Sequence, residues 1–431
     1  MKSLLVGVGK SDLTPPVGVE LCGYGVYRGR RNKGVHDRLY SRSLFLRVGE
    51  EAALLINNDL IGIDDETLRQ TRELIETELG VDPDRVIVTC THTHSGPATV
   101  PLVGWGEADE EYLEELPKRF LEGALRAKEK LREANAGFGR SRVKGVGFNR
   151  VLPNGSIDKE VRVLQLKDRE KNPVATLFNH SCHAVSIDVR TEAGLYVSAD
   201  WPGCAMNILT KKGAGEAFFL QGTCGDIDPK VVWRMRGFDA AEDVGRSVAK
   251  AVLRVLEGIN LKDVGEMRVE RRPLRLPLQE VTAKDVTDTL IAFLDQLEKK
   301  ERGTIGELRP QVRFYRTYAE EMMEKIEAGL PDHLESEVQA LRLDDVAMVF
   351  LPGEVFVEVG LKIMEGSPFR KTMVVGYSAS YVGYIPTPID YKLMGYASTK
   401  VPTILRNPPF VEDVSQVVVE EALNVLRRLV E

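Results

Sequence analysis

The chain has 431 residues, 43% hydrophobic and 29% charged, with a net charge of −7. That length supports a large core, in one big domain or two intergrown ones. The interspersed signs exclude a nucleic-acid footprint, and no stretch approaches the ~20 apolar residues of a membrane-spanning helix.

Leu4–Val8 reads as the first strand. The run LLVGVG is shorter than the about 7–15 apolar residues of a secretory leader and leads straight into Lys10-Ser11-Asp12. Cys22, Cys90, Cys182, Cys204 and Cys224 form no CxxC pair, so buried free thiols are expected rather than a disulfide framework. Together these features predict a cytoplasmic protein. Leu13-Thr14-Pro15-Pro16 is a turn, Glu20–Gly25 a glycine-rich loop where backbone can approach a ligand, and Tyr27–Gly34 a basic, exposed loop. Leu44–Val48 and Ala52–Asn58 are strands, the second ending in Asn57-Asn58-Asp59. Asp59 is either a functional acid or a turn and capping residue. Asp64–Leu79 and Asp109–Glu133 have the periodicity of outer-layer helices.

Between them lies Val86–Gly96, VIVTCTHTHSG. Val86–Cys90 is a β-branched run and predicts a buried strand. Continued extension would put His92 and His94 on one face, as half of a zinc site. The plainer alternative is two histidines bonded to their neighbours.

Further on, Phe138–Phe148, Val161–Leu166 and Val174–Asn179 read as strands, the last delivering Phe178-Asn179-His180-Ser181-Cys182-His183. If the chain stays extended, the i, i+3 spacing lets only one of this pair face a given site. His180, at the strand end, is the expected metal ligand, and His183 a substrate-side or structural residue. A helix over about Cys204–Thr210 and a strand at Phe218–Gln221 precede Gly222–Pro229, whose Asp226 and Asp228 either orient water or a cation or serve turn chemistry. Phe238–Gly258 is a helix, Met267–Leu278 a strand with one wet face, and Thr282–Ala328 a charged helical pair read as an accessory layer without chemistry. Glu335–Leu343 and Val346–Leu351 form a hairpin whose end carries Glu354, a candidate metal carboxylate. A helix over Val355–Gly366, a strand over Met373–Tyr377, a tyrosine cluster (Tyr381, Tyr384, Tyr391, Tyr396) and a helix over Val411–Leu429 complete the chain. The simplest architecture is α/β: one unit with a mixed sheet layered by helices.

The landmarks DLTPP, LCGYG, GVHDRLYSR, NNDL, THTHSGPA, FNR, FNH, SADWPG, GTCGDIDP, LPGE, YVGY and GYAST run almost end to end. In them the chain resembles the catalytic domain of the neutral, non-lysosomal ceramidases, zinc enzymes that cleave the amide of an N-acyl sphingoid base. The resemblance implies His92, His180, Glu354 and Tyr384 as zinc ligands. It places His94, Arg150 and Tyr396 at the scissile amide and Gly23 in the loop beside the substrate; apart from the resemblance, His183 and Tyr391 are expected to line the substrate. The family's serine in GD-x-S-P is Asp228 here, implying either direct attack by zinc-activated water or a base or orienting role for Asp228. No counterpart of the family's C-terminal immunoglobulin-like domain or signal peptide is evident.

The expected function is therefore zinc-dependent hydrolysis of an amide, with an N-acyl amide or other small molecule as substrate and a homo-oligomer compatible with it. Mn or Fe would suit the same ligands. Two alternatives stand beside it: a metal-dependent hydrolase or deacetylase of a small polar or sugar-like substrate, and a non-catalytic protein stabilised by metal.

Overall fold

The computed structural model describes residues 3–26, 29–230, 236–300 and 309–431. Its framework, among these residues, is a 12-stranded mixed sheet. From edge to edge the strands are Glu216–Gln221, Pro173–His180, Glu160–Asp168, Arg132–Arg142, Leu4–Asp12, Tyr40–Val48, Glu51–Asn58, Val86–Cys90, Lys371–Ser378, Val346–Pro352, His333–Leu343 and Met267–Pro277. The expected α/β class and nearly all expected elements are present. The reading Phe138–Phe148 is replaced by two strands, Arg132–Arg142 and Gly147–Asn149, and the helix expected over Asp109–Glu133 stops at Glu129.

Local chemistry sets the helix ends. Asp64 and Asp109 each accept a backbone N–H from the first turn of the helix they open (Thr67, 2.8 Å; Tyr112, 2.9 Å), caps worth ~1 kcal/mol each.

The sheet folds over on itself. The Asn57 side-chain amide donates to Phe219 O at 2.9 Å, and that of Asn179 to Val374 O at 3.0 Å, so the edge strands lie against the middle of the sheet. The space between the two halves is filled by Leu44, Leu46, Leu55, Ile87, Leu177, Phe218, Leu220, Phe350 and Val375. Helices cover the outer faces. Asp65–Leu79 and Glu110–Glu129 pack on Phe45, Leu54, Ile56 and Val88; Asp200–Lys211 and Asp239–Glu257 pack on Val163, Phe178 and Phe219; Val357–Gly366 and Val414–Arg428 pack on Ala340, Val349 and Val374. The buried-and-buried strands explain why their sequences read as continuous apolar runs.

Folding over brings strand ends together. Lys371–Ser378 and Val86–Cys90 run antiparallel and pair at Ser378 and Thr89, close to where both finish. Gln221 reaches Thr91 O (3.2 Å), and Gly222 N–H donates to His180 O (3.0 Å). The helical segment Ala283–Lys300 with Arg309–Ala328 does more than cover the surface: Phe314, Tyr318 and Met322 pack with Cys22, Ile61 and Val100, directly behind this meeting point. Residues 301–308 of that segment, and residues 27–28 of the expected exposed loop, lie outside the described residues. Within the same loop Arg30 is buried, contrary to the reading of an exposed basic stretch: it donates to His94 O (2.7 Å) and Cys22 O (3.0 Å). The cysteines are free, and four of the five are buried. Among the described residues no helix is long and apolar enough to cross a membrane.

Candidate metal centre and active site

Val86–Cys90 ends one residue before Thr91, and His92 then takes a left-handed backbone conformation (φ 63°). The two histidines meet through this turn and not through strand alternation: their Nε2 atoms are 3.0 Å apart. The Nδ1 of His92 lies 2.6 Å from Ile61 O, and that of His94 2.9 Å from Gly23 O. A carbonyl only accepts, so both protons sit on Nδ1 and both Nε2 atoms present lone pairs.

The third imidazole is His183. Its Nδ1 faces Ile227 O at 3.3 Å, and its Nε2 is 2.9 Å from Glu354 Oε2. The same oxygen is 3.3 Å from His92 Nε2. His92, His94 and His183 present ligand atoms within 4.8 Å of one another. His180 is the correction to the sequence reading. Period two along Pro173–His180 points Leu177 and Asn179 into the sheet interior and Phe178 and His180 outward; His180 accordingly faces Trp201, with ring centroids 6.3 Å apart, and its Nδ1 donates to Glu160 O at 2.9 Å. Beyond the strand the chain turns, and His183 is the residue that comes back inward.

The donor set tests itself for a cation. Three imidazoles tied by Nδ1 to backbone carbonyls leave lone pairs aimed at one another and at a fully buried carboxylate. Burial pushes the His94 imidazole well below its usual range, and its two histidine neighbours push it further. Burial alone would raise the Glu354 carboxyl; positive charge beside it, as a proton on His92 or His183 or a cation in their midst, is what holds it well below the carboxylate range. Uncharged nitrogen donors facing an ionised carboxylate in a closed site fit a divalent metal of the zinc type.

Around this set stand the other expected residues. Glu354 and Tyr384 are register partners in a short parallel ladder. The Tyr384 hydroxyl accepts from Arg150 Nη2 (2.8 Å), and Arg150 also donates to Gly225 O (2.8 Å) and Asp228 Oδ1 (3.2 Å). Burial works against the Arg150 charge; Tyr384, Asp228 and Glu354 outweigh it and hold the guanidinium protonated. Asp228 Oδ1 is also 3.8 Å from His183 Nδ1. Tyr396 is half-exposed and edge-on to Tyr384, centroids 5.9 Å apart. Gly23 (φ 112°) lies under His94, where a Cβ would come within 2.4 Å of Nδ1; it positions an imidazole. Tyr391 spends its hydroxyl on Phe410 O (2.9 Å), so that group is not offered to the site.

Two acids read openly in the sequence have structural work. Asp59 accepts from Arg42 (2.7 Å) and Tyr40 N–H (3.0 Å). Asp226 accepts from Val357 N–H (2.8 Å) and the Asn149 amide (2.7 Å), and burial pushes its carboxyl up to about 6. Sequence reasoning passed over Tyr381, whose O–H donates to Glu354 Oε1 at 2.6 Å, and Tyr377, whose ring lies 4.2 Å from that of His92. A signal for Tyr381 existed: it opens the Tyr-Val-Gly-Tyr run that also contains Tyr384.

The model of the family described as neutral/alkaline non-lysosomal ceramidase, N-terminal, matches residues 4–236, more than half of the chain. The chain belongs to this family. Membership makes this ceramidase-family protein an amide-hydrolysing enzyme. Among solved structures it is similar to the neutral ceramidase from Pseudomonas aeruginosa, with 19% identity and a TM-score of 0.74 over 99% of this chain and 75% of that one. It is also similar to a ceramidase complexed with C2, with 16% identity and a TM-score of 0.76 over 100% of this chain and 76% of that one. At such identities the likeness establishes the fold, and it extends over Glu354 and Tyr384, which lie beyond the family match.

Proposed function

We propose that this ceramidase-family chain is a zinc-dependent amidohydrolase of N-acyl substrates, with His92, His183 and Glu354 holding the metal. The observation that carries the reading is the convergence of His92 Nε2, His183 Nε2 and Glu354 Oε2 close to the cationic Arg150. Zinc bound there would lower the pKa of a water to about 7 and polarise an acyl carbonyl.

The chain's own residues supply the rest. The Tyr381 O–H fixes one Glu354 oxygen and leaves the other facing the imidazoles. His94, tethered through Nδ1, borders the metal group with a free Nε2 lone pair and orients the substrate. Tyr384, expected from the resemblance as a further zinc ligand, has its hydroxyl oxygen engaged by Arg150 Nη2; in this reading it serves with Arg150 as a donor for the oxygen on which negative charge develops. Tyr396, half in solvent, contacts the amide from the open side. Asp228 takes the place of the family's serine; ion-paired to Arg150, it handles the proton bound for the leaving amine. Exposed Phe148, register partner of Asp228, and exposed Leu393 and Met394 beside Tyr396 give this side an apolar border suited to an acyl chain.

The test is metal analysis together with hydrolysis of a series of N-acyl amides of increasing chain length. Wild type should carry one zinc per chain and cleave the amides, and His183→Ala should lose both. Full zinc occupancy in His183→Ala would overturn the ligand assignment. One observation favours a second reading: the Arg150–Asp228 ion pair places two charges at the site, which suits a short polar acyl group such as acetyl. Loss of activity as the acyl chain lengthens would select that reading.

A further inference from the structure

His180 is the histidine that the metal group leaves aside. Its Nδ1–H is donated to Glu160 O, so Nε2 carries a lone pair, and among the described residues that atom has no hydrogen-bond partner. The residue is 3% exposed and lines a cavity of about 320 Å³. Val143, Val146 and Ile157 give this cavity an apolar wall. Four cations also line it: Arg142, Lys144, Lys159 and Lys230.

None of these four forms an ion pair among the described residues. Asp158, the acid on the wall, is already satisfied, with Oδ2 accepting from Arg162 (2.6 Å) and Oδ1 from Glu160 N–H (3.0 Å). The cavity is thus strongly positive on a chain whose net charge is −7. Unpaired like charges repel and collect anions. A buried acceptor without a donor is costly unless a ligand supplies the proton. An anion that also carries an O–H satisfies both demands, and an apolar wall suits an ester substituent.

We propose that this cavity is a second binding site, for a phosphate monoester, with its oxygens on Arg142, Lys144, Lys159 and Lys230 and its P–OH donating to His180 Nε2. The site lies on the outward face of the strand, three residues in sequence from His183, and is independent of the hydrolytic reading. The chemistry is shared by a free phosphate ester and by a phosphatidic acid headgroup.

Calorimetric titration of the metal-loaded full chain with octyl phosphate and octyl sulfate at pH 6 tests it, since only the phosphate retains a P–OH. Saturable binding is expected, about tenfold tighter for the phosphate. The double variant Lys144→Glu/Lys230→Glu, changed at exposed positions, should weaken both by tenfold or more, and His180→Phe should remove the preference for phosphate. Should His180→Phe fail to fold, the charge-reversal variant still decides. Absence of saturable binding, equal affinity for the two anions, or binding unaffected by charge reversal would overturn the proposal; the last would assign the anion to the metal group. Pelleting with phosphatidic acid vesicles, lost on charge reversal, identifies the headgroup as the source. Octyl phosphate binding without pelleting identifies a free ester. Either result supports the site.

Discussion

Two strand ends in this protein deliver paired histidines, and they do so differently. After Val86–Cys90 the chain turns at once, with a left-handed backbone at His92, and both imidazoles point inward. After Pro173–His180 the strand keeps its alternation through His180, and only His183 turns inward. The contrast shows that a histidine's distance from a strand end does not place it. What places it is where the pleat stops, because each residue of continued extension flips the face.

Exchanging the two members of the second pair breaks or upholds this contrast most directly. His183→Ala should abolish metal retention and reduce amide hydrolysis by more than ~100-fold, the upper end of what removing an outer partner of a metal ligand costs. His180→Ala should keep full zinc and cost ~1–3 kcal/mol of stability. Metal content and denaturant melts on the two variants check both outcomes, and equal metal loss would erase the distinction.

Within the first pair, His94→Gln should lower kcat by roughly 100-fold while leaving most of the zinc in place. His92→Ala should lose metal. Gly23→Ala forces a Cβ into His94 at a strained φ, so its kinetics should resemble those of His94→Gln, with a loss of ~10–100-fold. A steady-state comparison of the three variants sharpens the ligand and positioning roles.

The smallest effect is on stability against pH. Burial holds the His180 imidazole below its ordinary value of 6.5. A base whose folded value is depressed stabilises the fold above its unfolded value and loses that contribution as pH falls. Unfolding free energy should therefore decline below about pH 6.5, by up to ~1.4 kcal/mol per pH unit from this group. His180→Phe should flatten that part of the profile, as read by denaturant titrations at several pH values. An unchanged slope would show that another group governs acid sensitivity.

Much of this was legible beforehand. Strands and helices announced themselves because their apolar periods are long, and the structure shows why two of the helices start where they do: Asp64 and Asp109 cap their first turns. His92 and Glu354 stood out as strand-end polar residues and Arg150 through the family's motif, and the structure brings all three into one pocket. His183 was not, because two histidines three apart are resolved only by where hydrogen bonding to Glu216–Gln221 ends. Tyr381 was partly legible, as the first of a spaced pair. Arg30 was hidden by its company: glycines and basic residues read as a wet loop, while its guanidinium in fact braces the carbonyls of Cys22 and His94.

The position of Lys371–Ser378 in the middle of the sheet, next to a strand made from residues 86–90, has a consequence for how the molecule matures. During synthesis the amino-terminal half must wait, with a central slot unfilled, until residues 371–378 have emerged. Contacts this distant along the chain slow assembly. A cation gripped by residues 92, 183 and 354 would then act as a late fastening that joins early- and late-made portions, so its supply would govern the yield of finished protein as well as its turnover.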